Sequence, residues 1–267
     1  MFGTGQKNRR WRVALAAVSG AVLVGTAGCG SGDDGESGRD GQDGRSGATP
    51  SASATAAPSA SATAAPSATG PAPLSKARLT AVSFADGERI GTYTASDYVL
   101  GAPLGEDYTA EPAVCRPLVS LAEGATTFDP AAEVHRKVDV EDEMLGITVA
   151  VQLRSYAAQG ATGVMKALRT AGRDCAAGFV EERAMARAKY LEVEPAQAPD
   201  VGDEATAYRF TILDVKGKLK LYEYLTVVRS GSTTLSFRAE ITGTKDVGGV
   251  PDEIVRAQWR KFRAGTA

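Results

Sequence analysis

The stretch LGITVAVQL, residues 145–153, decides the fold of this chain. Within it Leu145, Ile147, Val149, Val151 and Leu153 alternate with small or polar residues. A period of two is the pattern of a β-strand with one buried face. The stretch therefore predicts a strand that packs one side against a hydrophobic core.

A helix is predicted directly after this strand, over about 157–178. Its residues Val164, Leu168, Ala171 and Cys175 recur at helical spacing. Such spacing places all four on one stripe that faces the core. The helix therefore buries a cysteine close to its C-terminal end.

Further strands and a last helix complete the predicted domain. Strands are predicted near 186–193, 205–213, 219–229 and 233–242, and the last two are joined at Ser230-Gly231, a hairpin signal. The C-terminal helix begins near Pro251 and carries the apolar stripe Val255, Trp259 and Phe262.

Strands that follow one another through short turns are antiparallel. An early strand near 79–84 and a short helix around 113–122 are also expected. The predicted fold class is therefore α+β, an antiparallel sheet flanked by helices, in a single domain over residues 74–267.

The N-terminus has the order of a secretory signal. Residues 1–12 carry four basic residues and no acidic one, and the apolar run 13–24 leads into small residues before Cys29. The run is shorter than the roughly 20 residues of a transmembrane helix. TAGC, residues 26–29, resembles a bacterial lipobox, in which the cysteine is lipidated. Residues 1–28 are thus predicted to be a lipoprotein signal peptide; an uncleaved anchor or plain secretion are the alternatives, and Arg9-Arg10 leaves open a twin-arginine route.

Residues 29–73 are predicted to be a lipidated N-terminus followed by a disordered tether. PSASATAA occurs at 50–57 and again at 58–65, and no large apolar residue lies between Cys29 and Leu74. Such a segment cannot bury enough surface to offset its conformational entropy. The tether would hold the domain away from the membrane surface.

The charge of the chain gives no indication of nucleic-acid binding. The net charge is −2, and cleavage of the signal, with its four basic residues, lowers it to −6. A mildly acidic chain without a basic block lacks the electrostatic footprint of a nucleic-acid-binding protein. The predicted attachment to the membrane is through the two acyl chains on Cys29, which suffice for stable anchoring.

Cys115 and Cys175 remain once Cys29 is assigned to the anchor. In an oxidising compartment two remaining cysteines most simply form a disulfide. Two buried free thiols are the alternative.

The sequence contains no recognisable catalytic motif. Its one histidine, His135, stands beside Arg136 and Lys137, a setting more typical of a solvated residue than of a general base. No metal-ligand cluster, phosphate-binding loop or nucleophile elbow occurs. No catalytic residue, metal site or cofactor is therefore predicted.

Four residues form the candidate ligand site: Tyr208, Tyr222, Tyr224 and Arg238. Tyr222 and Tyr224 point to the sheet face opposite Leu221 and Leu225, where rings with a polar tip could contact a ligand and Arg238 could supply a positive charge. The alternative is that a helix covers this face. Tyr208 shares its strand face with Phe210 and Ile212, so it can instead belong to the core.

Three segments carry a family resemblance. AVCRPLVSL (113–121), LGITVAVQLRSYAAQGATGVMKALRTAGRDCAAGF (145–179) and VGDEATAYRF (201–210) together resemble the extracytoplasmic PknH-like sensor domain of actinobacterial Ser/Thr kinases and its stand-alone lipoprotein relatives. The resemblance covers about residues 74–262. It implies a helix-flanked antiparallel sheet with a ligand-binding cleft. The family typically has two disulfides, whereas this domain can form one, and the chain has no kinase domain.

These observations favour a lipoprotein on the outer face of the cell membrane, with a non-catalytic domain that binds a small-molecule, lipid or cell-wall ligand. A structural or assembly partner of an envelope protein complex is the alternative, and a hydrolase is the third hypothesis. A deep tyrosine-lined cleft would favour the first, a flat apolar patch the second, and carboxylates paired across a cleft the third.

Overall fold

A computed structural model describes residues 70–99, 101–140, 146–183, 186–214, 216–241 and 243–267. The predicted signal peptide, Cys29 and the tether up to residue 69 lie outside these residues, as do Leu145 and Thr242 of the predicted strands.

The described residues form one antiparallel sheet of ten strands. In chain order these are β1 (Arg89–Ile90), β2 (Tyr93–Ser96), β3 (Thr109–Glu111), β4 (Pro130–Val140), β5 (Ile147–Tyr156), β6 (Phe179–Arg183), β7 (Ala186–Pro195), β8 (Glu204–Leu213), β9 (Lys220–Ser230) and β10 (Thr233–Ile241). In space the order is β1-β2-β4-β5-β10-β9-β8-β7-β6-β3. The predicted α+β class with an antiparallel sheet is confirmed.

Three α-helices flank the sheet: α1 (Lys76–Val82), α2 (Gly160–Asp174) and α3 (Asp252–Thr266). Two 3₁₀ helices, Leu104–Asp107 and Ala113–Leu118, lie between β2 and β4. The second of these takes the place of the short helix predicted at 113–122. The predicted α2 and α3 are both present, α2 with bounds shorter by a few residues.

The predicted early strand at 79–84 is wrong, because this segment contains most of α1. The Ser75 side chain accepts a hydrogen bond from the Arg78 amide at 3.3 Å and so caps the helix N-terminus. Leu79 and Val82, three residues apart, are 0% and 2% exposed. Burial at helical spacing, rather than alternation, accounts for these apolar residues.

Each face of the sheet has its own hydrophobic core. On one face, α2 and the second 3₁₀ helix pack over residues such as Tyr208, Phe210 and Leu225. On the other, residues of α1 and α3 share a core with alternate residues of β5 and β10, including Val151 and Phe237. We call these the α2 face and the α3 face. The alternation that predicted β5 and β10 correctly identified the residues of the second core.

A disulfide joins Cys115, in the second 3₁₀ helix, to Cys175, at the end of α2. The two sulfur atoms are 2.00 Å apart and the Cα atoms 5.9 Å apart. Both residues are buried, at 0% and 2% exposure. The predicted pairing is confirmed, and it fixes the 3₁₀ helix to α2 on the α2 face.

Residues 70–73, assigned to the tether, contact the domain in the structure. The Ser232 hydroxyl donates to the carbonyl of Ala72 at 3.1 Å, and the amide of Leu74 donates to Ser155 Oγ at 2.8 Å. The described residues before α1 therefore contact the sheet at the β9–β10 turn.

Candidate functional site

A cavity of about 530 Å³ lies on the α2 face. Its walls come from β5, β10, β9, β7 and β6 and from the first 3₁₀ helix. Many polar and charged side chains line it, among them Glu106, Gln152, Glu181, Tyr190, Glu223 and Arg238. We call it the polar cavity.

Arg238 connects the sheet to the segment that ends the second 3₁₀ helix. Its side chain is 15% exposed, and Nη1 lies 3.3 Å from Glu223 Oε2. Nη2 donates to the main-chain carbonyls of Leu118 and of Val119, the latter at 2.9 Å. The guanidinium carbon is 5.7 Å from the centre of the Phe210 ring. Arg238 therefore divides its hydrogen bonds between one carboxylate and two carbonyls.

Tyr190 lies between two glutamates. Its hydroxyl is 2.7 Å from Glu181 Oε2 and 3.0 Å from Glu223 Oε2. Tyr190 is 2% exposed, and burial together with both carboxylates raises the pKa of its phenol well above the usual value. Arg183 pairs with Glu181 through Oε1, the oxygen that does not face Tyr190.

Glu223 is a carboxyl group of the cavity whose pKa departs strongly from its usual value. Burial raises its pKa to about 7, and the neighbouring Glu240 and Glu181 add to the rise, while Arg238 opposes it. Glu223 is directly opposite Glu240 in the β9–β10 register. At neutral pH this wall of the cavity therefore holds a carboxyl group that is partly protonated.

A second arginine network lies on the same face beside the cavity. Arg154 is 0% exposed; Nε lies 3.0 Å from Glu133 Oε2, Nη1 lies 2.8 Å from Gln152 Oε1, and Nη2 contacts Glu106. Gln152 also donates to Glu106 at 2.5 Å. The Arg154 guanidinium thus has three polar side chains as partners.

His135 belongs to this second network, so the prediction that it is solvated is wrong. It is 8% exposed on β4, with Nε2 3.4 Å from Glu133 Oε1. Its hydrogen bond is the largest cause that lowers the pKa of Glu133 to about 2, and Arg154 adds to the effect. The residue is buried because β4 pairs with β5 and turns His135 toward the α2 face beside Gln152.

The four predicted site residues do not form one site. The side chains of Tyr208 and Arg238 belong to the α2 face and those of Tyr222 and Tyr224 to the α3 face. Tyr222 nevertheless borders the polar cavity with Arg238, and Tyr208 borders a second cavity together with Tyr224. Tyr208 is 5% exposed in the core with Phe210 and donates to the carbonyl of Leu168 at 3.3 Å. Arg238 is the member of the set whose charged group borders the polar cavity.

A second cavity, of about 810 Å³, opens on the α3 face and contains Tyr224 in its wall. The Tyr224 hydroxyl contacts Asp246 and accepts from the amides of Val247 and Gly248 at 3.0 and 3.2 Å. Arg209 pairs with Asp246 and stacks over the Tyr222 ring at 4.6 Å. Both tyrosines therefore already have protein partners that hold the 246–248 segment against the sheet.

Among the described residues, no group of three or more His, Cys, Asp or Glu side chains is placed to hold a metal ion. Within the same part of the chain, no helix has the length and apolar character needed to cross a membrane.

The sequence contained a signal for the polar cavity. Thr234, Ser236, Arg238 and Glu240 alternate with the core residues of β10, and this is the pattern of one polar face. The structure buries Thr234 and Ser236 at 1% and 3% exposure. The polar face of β10 therefore lines an interior surface along much of the strand.

No protein-family model matches the sequence, and no curated protein matches it. Among solved structures, the chain is similar to the extracellular domain of PknH from Mycobacterium tuberculosis, with 10% identity and a TM-score of 0.47 over 72% of this chain and 97% of that one. It is also similar to an uncharacterized protein from Mycobacterium smegmatis, an Rv0999 ortholog, with 13% identity and a TM-score of 0.35 over 66% and 87% of the two chains. Likeness at this level carries no information on a ligand or an activity.

Proposed function

We propose that this chain is an exported lipoprotein whose domain binds a small ligand in the polar cavity, without catalysis. The observation that carries the proposal is the cavity itself, because its volume of about 530 Å³ and its converging polar groups fit a small-molecule site. Its ligand is a small molecule, a lipid headgroup or a cell-wall fragment with polar groups.

The anchoring part of the proposal depends on the sequence before residue 30. The basic segment, the apolar run and TAGC stand in the order of a lipoprotein signal, and Cys29 is the residue to be lipidated. Cys29→Ser should move the protein from the membrane fraction to the medium or leave it unprocessed. A variant that stays in the membrane at the normal mature mass would contradict the anchor.

The cavity offers both hydrogen-bond donors and acceptors to a ligand. Glu223 and Glu240 present carboxyl oxygens, while Arg183 and Lys137 bring positive charge to other parts of the wall. Arg238 gives one nitrogen to two main-chain carbonyls, so it is fixed in place before a ligand arrives. Groups held in advance lose little conformational entropy on binding.

Glu181 and Glu223 raise the question of hydrolysis, since two glutamates flank one point in the cavity wall. A glycosidase needs the space between its two carboxyl groups for the sugar. Here the Tyr190 hydroxyl, at 2.7 and 3.0 Å, occupies that space. This arrangement supports binding rather than hydrolysis.

The role as an assembly partner requires an apolar docking patch. The exposed large apolar residues of the described chain, Val99, Val114, Phe128, Leu219 and Val247, stand on separate segments. Single exposed apolar residues are normal on soluble domains. The polar cavity therefore favours binding of a small ligand over docking of a partner protein on an apolar patch.

The test is a thermal-shift screen of the secreted Cys29→Ser chain against cell-wall fragments and lipids, followed by two cavity-filling variants. Ala188→Phe fills the polar cavity from β7, and Ala198→Phe is the matched change in the cavity on the α3 face. A ligand lost with Ala188→Phe and kept with Ala198→Phe supports the polar cavity. The reverse pattern would move the site to the other face, and no hit among these compounds would count against the proposal.

A further inference from the structure

We infer that the hydrogen-bonded series Glu181–Tyr190–Glu223 is a proton switch that sets the charge of the polar cavity. The inference concerns the regulation of the proposed binding site, and its effect on ligand affinity rests on the proposed function. The switch itself follows from the hydrogen-bond geometry and does not require a ligand.

The hydrogen-bond geometry requires more than one proton among the three side chains Glu181, Tyr190 and Glu223. A phenol has one hydrogen to donate, but Tyr190 has carboxyl oxygens at both 2.7 and 3.0 Å. If both glutamates were ionised, one of the two contacts would bring two oxygens together with no hydrogen between them. A second proton on one carboxyl group satisfies both contacts, because that group then donates to the Tyr190 oxygen.

Glu223 is the carboxyl group that holds the second proton. Arg183 pairs with the other oxygen of Glu181, and Glu181 accepts the shorter hydrogen bond from Tyr190. Glu223 has only the 3.3 Å contact with Arg238, whose other nitrogen donates to carbonyls. Burial and the nearby acids raise the pKa of Glu223 to about 7, in agreement with this assignment.

The groups that face Glu223 come from four neighbouring parts of the fold. β10 contributes Arg238 and Glu240, β7 contributes Tyr190, β6 contributes Glu181, and β8 contributes the uncharged Phe210. Arg238 is thus the cation nearest to Glu223, whereas Glu181 has its own cation in Arg183 and Glu240 adds a further carboxyl group. Like charges directly opposite on neighbouring strands repel, so the pair Glu223 and Glu240 also favours the protonated form.

Loss of the proton changes what the cavity can bind. Below the midpoint Glu223 is neutral and donates a hydrogen bond to Tyr190. Above it, a negative charge appears opposite Glu240 on the cavity wall. Positively charged ligands should therefore bind more tightly above the midpoint, and negatively charged ligands more tightly below it.

The test is a ¹³C NMR titration of the Cys29→Ser chain labelled at the glutamate carboxyl carbons and the tyrosine Cζ. One glutamate resonance should titrate with a midpoint near pH 7. The Tyr190 Cζ resonance should move with the same midpoint, which an isolated surface glutamate would not cause. Glu223→Gln should remove both transitions, because its amide donates to Tyr190 at every pH.

Two further variants complete the design. Glu182 is the exposed neighbour of Glu181 on β6, and Glu182→Gln should leave the Glu223 midpoint unchanged. Glu240→Gln should lower the Glu223 midpoint, because a repelling charge on the facing strand is lost. A Glu223 midpoint below about pH 5, or a Tyr190 transition that survives Glu223→Gln, would overturn the inference. A midpoint near 7 combined with failure of the ligand screen would overturn the proposed function and leave the switch intact.

Discussion

Arg154 and Arg238 lie on the same face of neighbouring strands, about 13 Å apart along the strand direction, yet their glutamate partners behave in opposite ways. Glu133, beside Arg154, has its pKa lowered to about 2. Glu223, beside Arg238, has its pKa raised to about 7. The same two residue types therefore hold an ionised glutamate in one region and a glutamate that keeps a proton in the other.

The difference lies in the balance of donors and acceptors around each carboxyl group. Glu133 receives hydrogen bonds from both His135 and Arg154 and is 39% exposed to water. Glu223 is 17% exposed and shares a guanidinium that also serves two carbonyls. An arginine nearby thus does not by itself ionise a glutamate; the burial of the carboxyl group and the number of donors left for it decide.

The strongest way to break this comparison is to remove each arginine in turn. Arg154→Met should lower the free energy of unfolding by about 3–5 kcal/mol, because it breaks a buried ion pair and leaves Glu106 without its partner. Arg238→Met should cost less at pH 6, because Glu223 can then remain protonated. Urea unfolding of both variants at pH 6 measures the difference; equal losses would show that the two networks are of one kind.

The pH dependence of stability tests the two carboxyl groups together. The folded-state pKa of Glu223 is raised from 4.5 to about 7, so the folded state binds the proton more tightly than the unfolded state. Its contribution is full below pH 4.5 and is lost as pH rises to about 7, at up to ~1.4 kcal/mol per pH unit. Glu223→Gln should flatten the curve in this window.

Glu133 changes the stability with pH in the opposite direction. Its folded-state pKa is lowered from 4.5 to about 2, so its contribution is present above pH 4.5 and is lost as pH falls toward 2. The loss should be smaller than that from Glu223, because the side chain is 39% exposed and screened by solvent. When only Glu223 and Glu133 are considered, the domain should therefore be most stable near pH 4.5–5. A maximum at pH 8 would contradict the assignment of Glu223, and a stability that does not fall between pH 4.5 and pH 2 would contradict that of Glu133.

Tyr224 provides a neutral reference on the opposite face. Tyr224→Phe should cost about 1 kcal/mol, because the hydroxyl holds the amides of Val247 and Gly248. Tyr222→Phe keeps the ring under Arg209 and should stay within about 0.5 kcal/mol of the parent. Neither change should alter the pH profile of unfolding between pH 5 and 8, where Glu223 titrates, and a profile that moved in this window would mean that the two faces are coupled.

The sequence predicted the parts of this fold in which apolar residues show the period of their element. The strands β5 and β10 and the helices α2 and α3 all follow such patterns, and cysteine arithmetic gave the disulfide. β4 was missed because Glu133, His135, Lys137 and Asp139 alternate along it and look like residues of a solvent face. In the structure, pairing with β5 turns this row toward Arg154, Gln152 and the polar cavity.

The candidate site was missed for the same physical reason. Alternation identifies two faces of a strand, but it cannot tell a polar face in water from a polar face under a covering segment. Arg238 was chosen correctly as a cavity residue, but its partners Glu181 and Tyr190 come from strands far from it in sequence. Only the order of strands in the sheet brings these residues together.

The smallest expected effect concerns Glu240, the exposed residue opposite Glu223. At pH 8, where Glu223 is mostly ionised, Glu240→Gln removes a like charge from the facing strand and should raise the free energy of unfolding by about 0.2–1 kcal/mol. At pH 5 Glu223 is neutral, so the same substitution should have almost no effect on stability. Added salt should reduce the gain at pH 8 only in part, because Glu240 is exposed to screening ions whereas Glu223 is mostly buried. Urea unfolding of parent and variant at both pH values measures the difference. A gain that is equal at pH 5 and pH 8 would show that Glu223 does not change its charge between them.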